Sequence, residues 1–85
     1  MYILSEDRKS IIHAAVITVE RNSLGLYSDK KGMKYALVAK TSGQDHGDMG
    51  YALGAYATEE EAVFELERIM SAIEAGHETY RMGQY

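Results

Sequence analysis

"YATEEEAVFELERIMSAIEAGH", residues 56 to 77, decides the fold. Thr58 stands at an N-cap position and Glu61 follows three residues on, which is the spacing of a capping box. Glu59, Glu60 and Glu61 set negative charge against the positive end of a helix. Ala62, Val63, Leu66, Ile69, Met70 and Ile73 then recur at steps of three and four, so they predict one apolar stripe on a helix over residues 59 to 75. Gly76 suits the left-handed residue that ends such a helix. Glu65, Glu67 and Arg68 are expected to face away from the stripe. Phe64 lies about 100° from Val63 around the helix, on the side shared with Arg68 and Ala72. Either the stripe is wide, or Phe64 marks a partner surface, since an exposed Phe beside small residues makes a docking site.

Upstream of the helix the pattern changes to β. Met33 to Thr41, "MKYALVAKT", alternates cleanly. Met33, Tyr35, Leu37 and Ala39 fall on one face, and Lys34, Ala36, Val38 and Lys40 on a mixed, half-exposed one. Val16-Ile17-Thr18-Val19 is rich in β-branched residues and reads as a strand. Met1 to Leu4 is a short strand followed by the polar turn Ser5 to Lys9. Ile11 and Ile12 open a second segment that either continues or breaks at His13-Ala14-Ala15. Asn22 to Gly25 and Ser28 to Gly32 carry turn chemistry. Tyr51 to Tyr56 is another strand. His77 to Tyr85 is polar, and three readings stay open: a disordered tail, a final strand, or a segment lying across a neighbouring subunit.

These elements predict an α+β fold, a small antiparallel sheet of four to five strands followed by one C-terminal amphipathic helix packed on one face. Residues 1–76 make the single domain and 77–85 the tail. One helix covers one face only. The other face is expected to be polar or to be buried by another copy, and Ala36, Val38 and Ala52 suit such a contact.

The whole chain sets bounds on function. Its 85 residues lie near the lower limit of independent stability, and with no cysteine there is neither a disulfide nor a structural zinc site to staple it. Oligomerisation is the remaining staple, so a homo-oligomer is expected. Nine basic and thirteen acidic residues give a formal charge of −4, which argues against non-specific nucleic-acid binding. No apolar run is long enough to span a bilayer, and Asp7, Arg8 and Lys9 interrupt any leader-like segment, so a cytoplasmic location is expected. The seven tyrosines suit sheet faces as well as interfaces.

No residue pattern identifies a reaction. "KTSGQDHGDMGY", residues 40 to 51, holds Asp45 and Asp48 three apart but lacks the remaining ligands of a calcium loop. Its glycines are followed by a strand rather than a helix N-terminus, so it is no phosphate-binding loop. Ser42, His46 and the two aspartates are too close together on a loop to hold the geometry of a nucleophile and base. His13 reads as a strand histidine, and His77 suits a helix C-terminus. Glu59 to Glu61 are explained by capping. Lys30 and Lys31, with Arg8 and Lys9, are an anion-attracting edge or simply a solvated turn. No enzyme activity, cofactor or metal is expected.

The opening "MYILSEDRKSII" (residues 1–12) and the segment "LGAYATEEEAVFELERI" (53–69) resemble an uncharacterised family of short prophage and mobile-element proteins of Gram-positive bacteria. Those proteins open with a phrase close to "ILSQDKKSLV" and continue to one like "LGxYxTEERALEVLxEI". Some end in a "VYEMP"-like tail, where this chain has "ETYRMGQ" without the proline. "LGAY" stands where "LGEY" or "LGKY" is usual, and residues 16 to 50 depart freely. The resemblance implies a phage-linked origin and carries over no catalytic residue. It points to a non-enzymatic binding protein in phage–host conflict, that is, counter-defence. One form of that function is sequestering an anionic nucleotide-type signal at a subunit interface, by tyrosine stacking and basic side chains. His46, Tyr80, Arg81, Lys30 and Lys31 are the candidate residues. The other form is a protein inhibitor or adaptor that docks through Phe64 and the free sheet face.

Overall fold

A computed structural model of the chain describes residues 1–41 and 50–83. These form β1 (Tyr2–Leu4), β2 (Ile11–His13), β3 (Val16–Arg21), β4 (Tyr35–Lys40), β5 (Tyr51–Tyr56), α1 (Glu59–Glu74) and β6 (Thr79–Arg81), with a 3₁₀ turn at Ser23–Gly25. The α+β class is as expected. The strands make two sheets rather than one, in the orders β2-β1-β6 and β3-β4-β5. All pairings are antiparallel except β1 with β6.

Two adjacent alanines explain the division. The Ala14 amide donates to the Met1 carbonyl (3.1 Å) in the first sheet, and the Ala15 amide donates to the Lys40 carbonyl (2.9 Å) in the second. The chain therefore breaks at His13-Ala14-Ala15 and changes sheet within one residue. At the far end a bulge joins the two sheets. Leu37 pairs with Gly54 and Val38 with Ala52, leaving Leu53 without a partner in the register. The Leu53 carbonyl instead accepts from the Glu6 amide at 2.8 Å, and its side chain is buried in the core.

The tail is the last strand. β6 runs parallel to β1, which the long connection through the other elements allows. The Met82 amide donates to the Leu4 carbonyl, and the Met82 side chain joins Ile3, Ile12, Leu37, Leu53 and Ile69 in the core. Leu37 and Ala39 lie in that core, as the alternation of β4 predicts, with Tyr35 packed against it.

The helix begins and ends as read. Thr58 Oγ1 accepts from the Glu61 amide at 3.2 Å. At the other end Gly76 has φ 82°. The Gly76 amide donates to the Ile73 carbonyl and the His77 amide to the Ala72 carbonyl, both 3.0 Å, which is the paired bonding of a Schellman motif. Its rotation differs from the expectation. The buried residues of α1 are Ala62, Glu65 and Ile69, while Val63, Met70 and Ile73 stay exposed. Glu65, expected on the solvent side, has no exposed surface. The returning tail is the reason. Tyr80 donates its hydroxyl to one carboxylate oxygen of Glu65 and the Gly83 amide donates to the other, each at 3.0 Å.

The second face of the β3-β4-β5 sheet corrects another expectation. Ala36 and Val38 are 0% and 1% exposed, so neither offers a surface to a second copy. Ala52 is half-buried. The Asn22 amide group donates to the carbonyls of Ser28 and Met33, and its Oδ1 accepts from the amides of Tyr27 and Ser28. That clamp closes residues 22 to 33 into a loop whose Tyr27 hydroxyl donates to Glu20, the cross-strand neighbour of Ala36. Gly50 lies so close to Val38 that a Cβ there would collide with its side chain and approach the Ala39 carbonyl to 2.7 Å.

Candidate functional site

The rotation of α1 leaves a groove of about 880 Å³ between the helix and the corner where the chain changes sheet. One wall is Met1, Tyr2, His13 and Ile17, with Ala14 and Ala15 at the corner. The other is Leu66, Ile69, Met70 and Ile73, and Glu67, His77 and Glu78 lie along the rim. Two residues with only a methyl side chain stand at the corner, so little fills the space between it and the helix. Met70 and Ile73 remain 54% and 48% exposed. Tyr2 and His13 are directly opposite across β1 and β2, and their rings stack with centroids 4.5 Å apart and planes 16° from parallel. That stack makes a flat aromatic shoulder beside the aliphatic helix wall.

The groove can hold an apolar body and little else. Its walls are aliphatic and aromatic, its acids are Glu67 and Glu78, and among the described residues no Lys or Arg lines it. Among those residues there is also no group of three or more His, Cys, Asp and Glu placed to hold a metal ion.

The residues predicted to bind an anion lie elsewhere. Lys30 and Lys31 are exposed on the turn before β4. Lys30 borders a depression of about 310 Å³ that also carries Glu6 and Asp7. Asp7 is held below the ordinary carboxylate range, first by the Ser5 hydroxyl at 2.6 Å and then by the Lys9 amide, so negative charge stands beside that lysine. Tyr80 is half-buried with its hydroxyl on Glu65, and Arg81 is exposed on β6 opposite Leu4. Neither the groove nor the depressions beside Lys30 and Phe64 join Lys30 or Lys31 to Tyr80 or Arg81. His46 lies outside the described residues.

Phe64 is 56% exposed on the outer side of α1, where it borders shallow depressions with Glu60. Both histidines read as structural, His13 and His77, border the groove. The sequence signal for this site was the excess of apolar positions on the helix: Met70 and Ile73 stay exposed beside Leu66, which packs against the edge of the core.

Burial is the first cause that lifts the Tyr80 phenol above its ordinary value. The Glu65 carboxylate to which it donates adds to the rise, and the Arg68 guanidinium opposes it. Arg68 Nε stands 3.8 Å from that same carboxylate. This node fixes the tail beneath the helix and takes no part in the groove's lining. No helix among the described residues is long and apolar enough to cross a membrane. Comparison with protein-family models, with curated proteins and with solved structures finds no match for this chain.

Proposed function

We propose that this chain is a non-catalytic binding protein whose groove, between α1 and the Ala14–Ala15 corner, receives an apolar segment of a partner protein. The observation that carries the reading is the open line of Met70 and Ile73 facing the Tyr2–His13 stack. Apolar side chains gathered along one concave wall, with a few polar groups at the rim, are the usual make-up of a binding groove. Recognition by such a surface needs no reacting group, only burial and shape. The resemblance of both chain ends to short prophage proteins supports taking the partner as a host protein that the chain occludes.

Sequestration of an anionic nucleotide-type signal is the rival reading. It rests on Lys30, Lys31, Tyr80 and Arg81. Glu6 and Asp7 beside Lys30, and the engagement of the Tyr80 hydroxyl by Glu65, weigh against it.

Amide and methyl NMR shifts of the labelled chain test the choice. Titration with apolar peptides is expected to perturb Tyr2, His13, Met70 and Ile73, and Met70→Glu is expected to abolish the change while leaving the circular dichroism intact. Nucleotides that instead perturb Lys30, Lys31 and Arg81, with the groove silent to every peptide, would overturn the proposal.

A further inference from the structure

The exposed line on α1 has a spacing that says more about what covers it. Leu66, Met70 and Ile73 on the groove wall step by four and three, and His77, four further on, continues the series past the helix end. Alternating steps of three and four are the seam along which a second helix packs, at about 20° to the first. From Leu66 to Ile73 the seam runs about 10 Å at 1.5 Å per residue, or close to two turns. β2 and β3 are edge strands, but the regular spacing in the groove lies on its helix wall. Helix-in-groove recognition, read by anchors at three- and four-residue steps, is the mode that fits.

Charge then selects among helices. The exposed residues beside the seam include Glu67, Glu74 and Glu78. Glu59 to Glu61 are accounted for by the positive end of α1, but Glu74 is not. It occupies the last helical residue, where a carboxylate opposes the helix dipole, and no basic residue stands in that turn. Folding alone gives no reason for it, whereas a cationic partner does. Arg68, the lone Lys or Arg in α1, is turned to Glu65. A second copy of the chain, laid seam to seam, would bring an acidic rim against another acidic rim.

Resting on the groove reading above, we infer that the occupant is a basic amphipathic α-helix of a partner protein, with apolar anchors along one line and Lys or Arg beside it.

Three designed peptides of about five turns test this on the full chain. One has a Leu/Met seam with Lys and Arg flanks, one has the same seam with Glu flanks, and one is the basic peptide with a central Pro. Anisotropy is expected to show the basic peptide binding at least about tenfold tighter than the acidic one, with affinity falling as salt rises. The Pro peptide is expected to lose binding, and the double variant Glu67→Lys, Glu74→Lys to reverse the charge preference. Equal binding of basic and acidic peptides at the groove would overturn the charge inference and leave the groove reading standing. Equal binding of the Pro peptide would overturn the helical occupant. A dimer in sedimentation that Met70→Glu dissociates would make a second copy the occupant and overturn the proposal. Failure of all peptides to perturb the groove would remove the groove reading as well.

Discussion

The hydroxyl of Tyr80 donates to the carboxylate of Glu65 at 3.0 Å, and that carboxylate has no exposed surface. The bond joins the three-residue β6 to the middle of α1, fifteen positions earlier in the chain. A buried carboxylate is tolerated only when its oxygens are met by donors, here Tyr80, the Gly83 amide and the nearby Arg68.

Removing the Tyr80 donor is therefore expected to cost more than an ordinary surface bond. Tyr80→Phe keeps the ring and leaves one Glu65 oxygen short of a partner, for a loss of about 1–3 kcal/mol in urea unfolding. Glu65→Gln is expected to cost less than Tyr80→Phe, since the amide still accepts from Gly83 while its NH₂ meets the Tyr80 oxygen, which can turn to accept. Hydrogen exchange at Met82 and Gly83 should quicken in Tyr80→Phe before it does in β4. Equal stability of Tyr80→Phe and the parent chain would show that the node does not hold the tail.

The same bond predicts a dependence on pH. Burial and Glu65 raise the Tyr80 phenol above its ordinary value of 10.0. A proton held more tightly in the folded than in the unfolded chain contributes stability below the unfolded value, and the contribution is lost as pH rises through the folded one. Stability should thus fall as pH climbs above about 10, the ordinary phenol value. Tyr27 is raised as well, by burial and by its bond to Glu20, so it adds to the fall. Thermal melts between neutral pH and pH 11 isolate the Tyr80 share: the parent should lose more than Tyr80→Phe over the alkaline range. Parallel curves would rule that share out.

What could be read from the sequence divides along physical lines. The helix limits follow from local chemistry at Thr58 and Gly76, and the core face of β4 from its alternation, so both were legible. Glu65 was not, because helical periodicity scores a carboxylate as solvent-facing, and only the return of residues 79 to 83 supplies its donors. The burial of Ala36 was not legible either, since the alternation of β4 places it with Lys34 and Lys40 on the mixed face. Ala36 and Val38 are buried within the chain, and exposed apolar residues stand on α1 at Met70 and Ile73. The groove was half-legible, since its helix wall was visible as excess apolar residues while its other wall needed the pairing of Tyr2 with His13.

Asn22 is open to a sharp test. Its two amide hydrogens go to two carbonyls and its oxygen takes two backbone N–H groups, so every polar atom of the side chain is used. Asn22→Ala is expected to destabilise by roughly 1–3 kcal/mol and to release the amides of Tyr27 and Ser28 to exchange. Asn22→Asp should be worse than Ala at neutral pH, because a carboxylate would then face the carbonyl oxygens of Ser28 and Met33. An aspartate variant as stable as the parent would mean that the clamp does not hold the loop of residues 22 to 33 closed.

Ile69 and Met70 are neighbours with opposite assignments. Ile69 is 1% exposed in the core, whereas Met70 is 54% exposed on the groove wall. Each is apolar, each belongs to the same helix, and the predicted stripe treated them alike. The observed rotation does not. Ile69→Ala should empty a packed site and cost about 2–5 kcal/mol. Met70→Ala should change stability by no more than about 0.5 kcal/mol, as surface substitutions do. Binding is expected to invert the order. Met70→Ala should weaken the basic amphipathic peptide by about tenfold, a hot-spot loss of the 1.4 kcal/mol class, without a matching shift in the midpoint of unfolding. Similar stability losses for the two variants would mean that α1 turns its full stripe to the sheet, and the groove would then be closed.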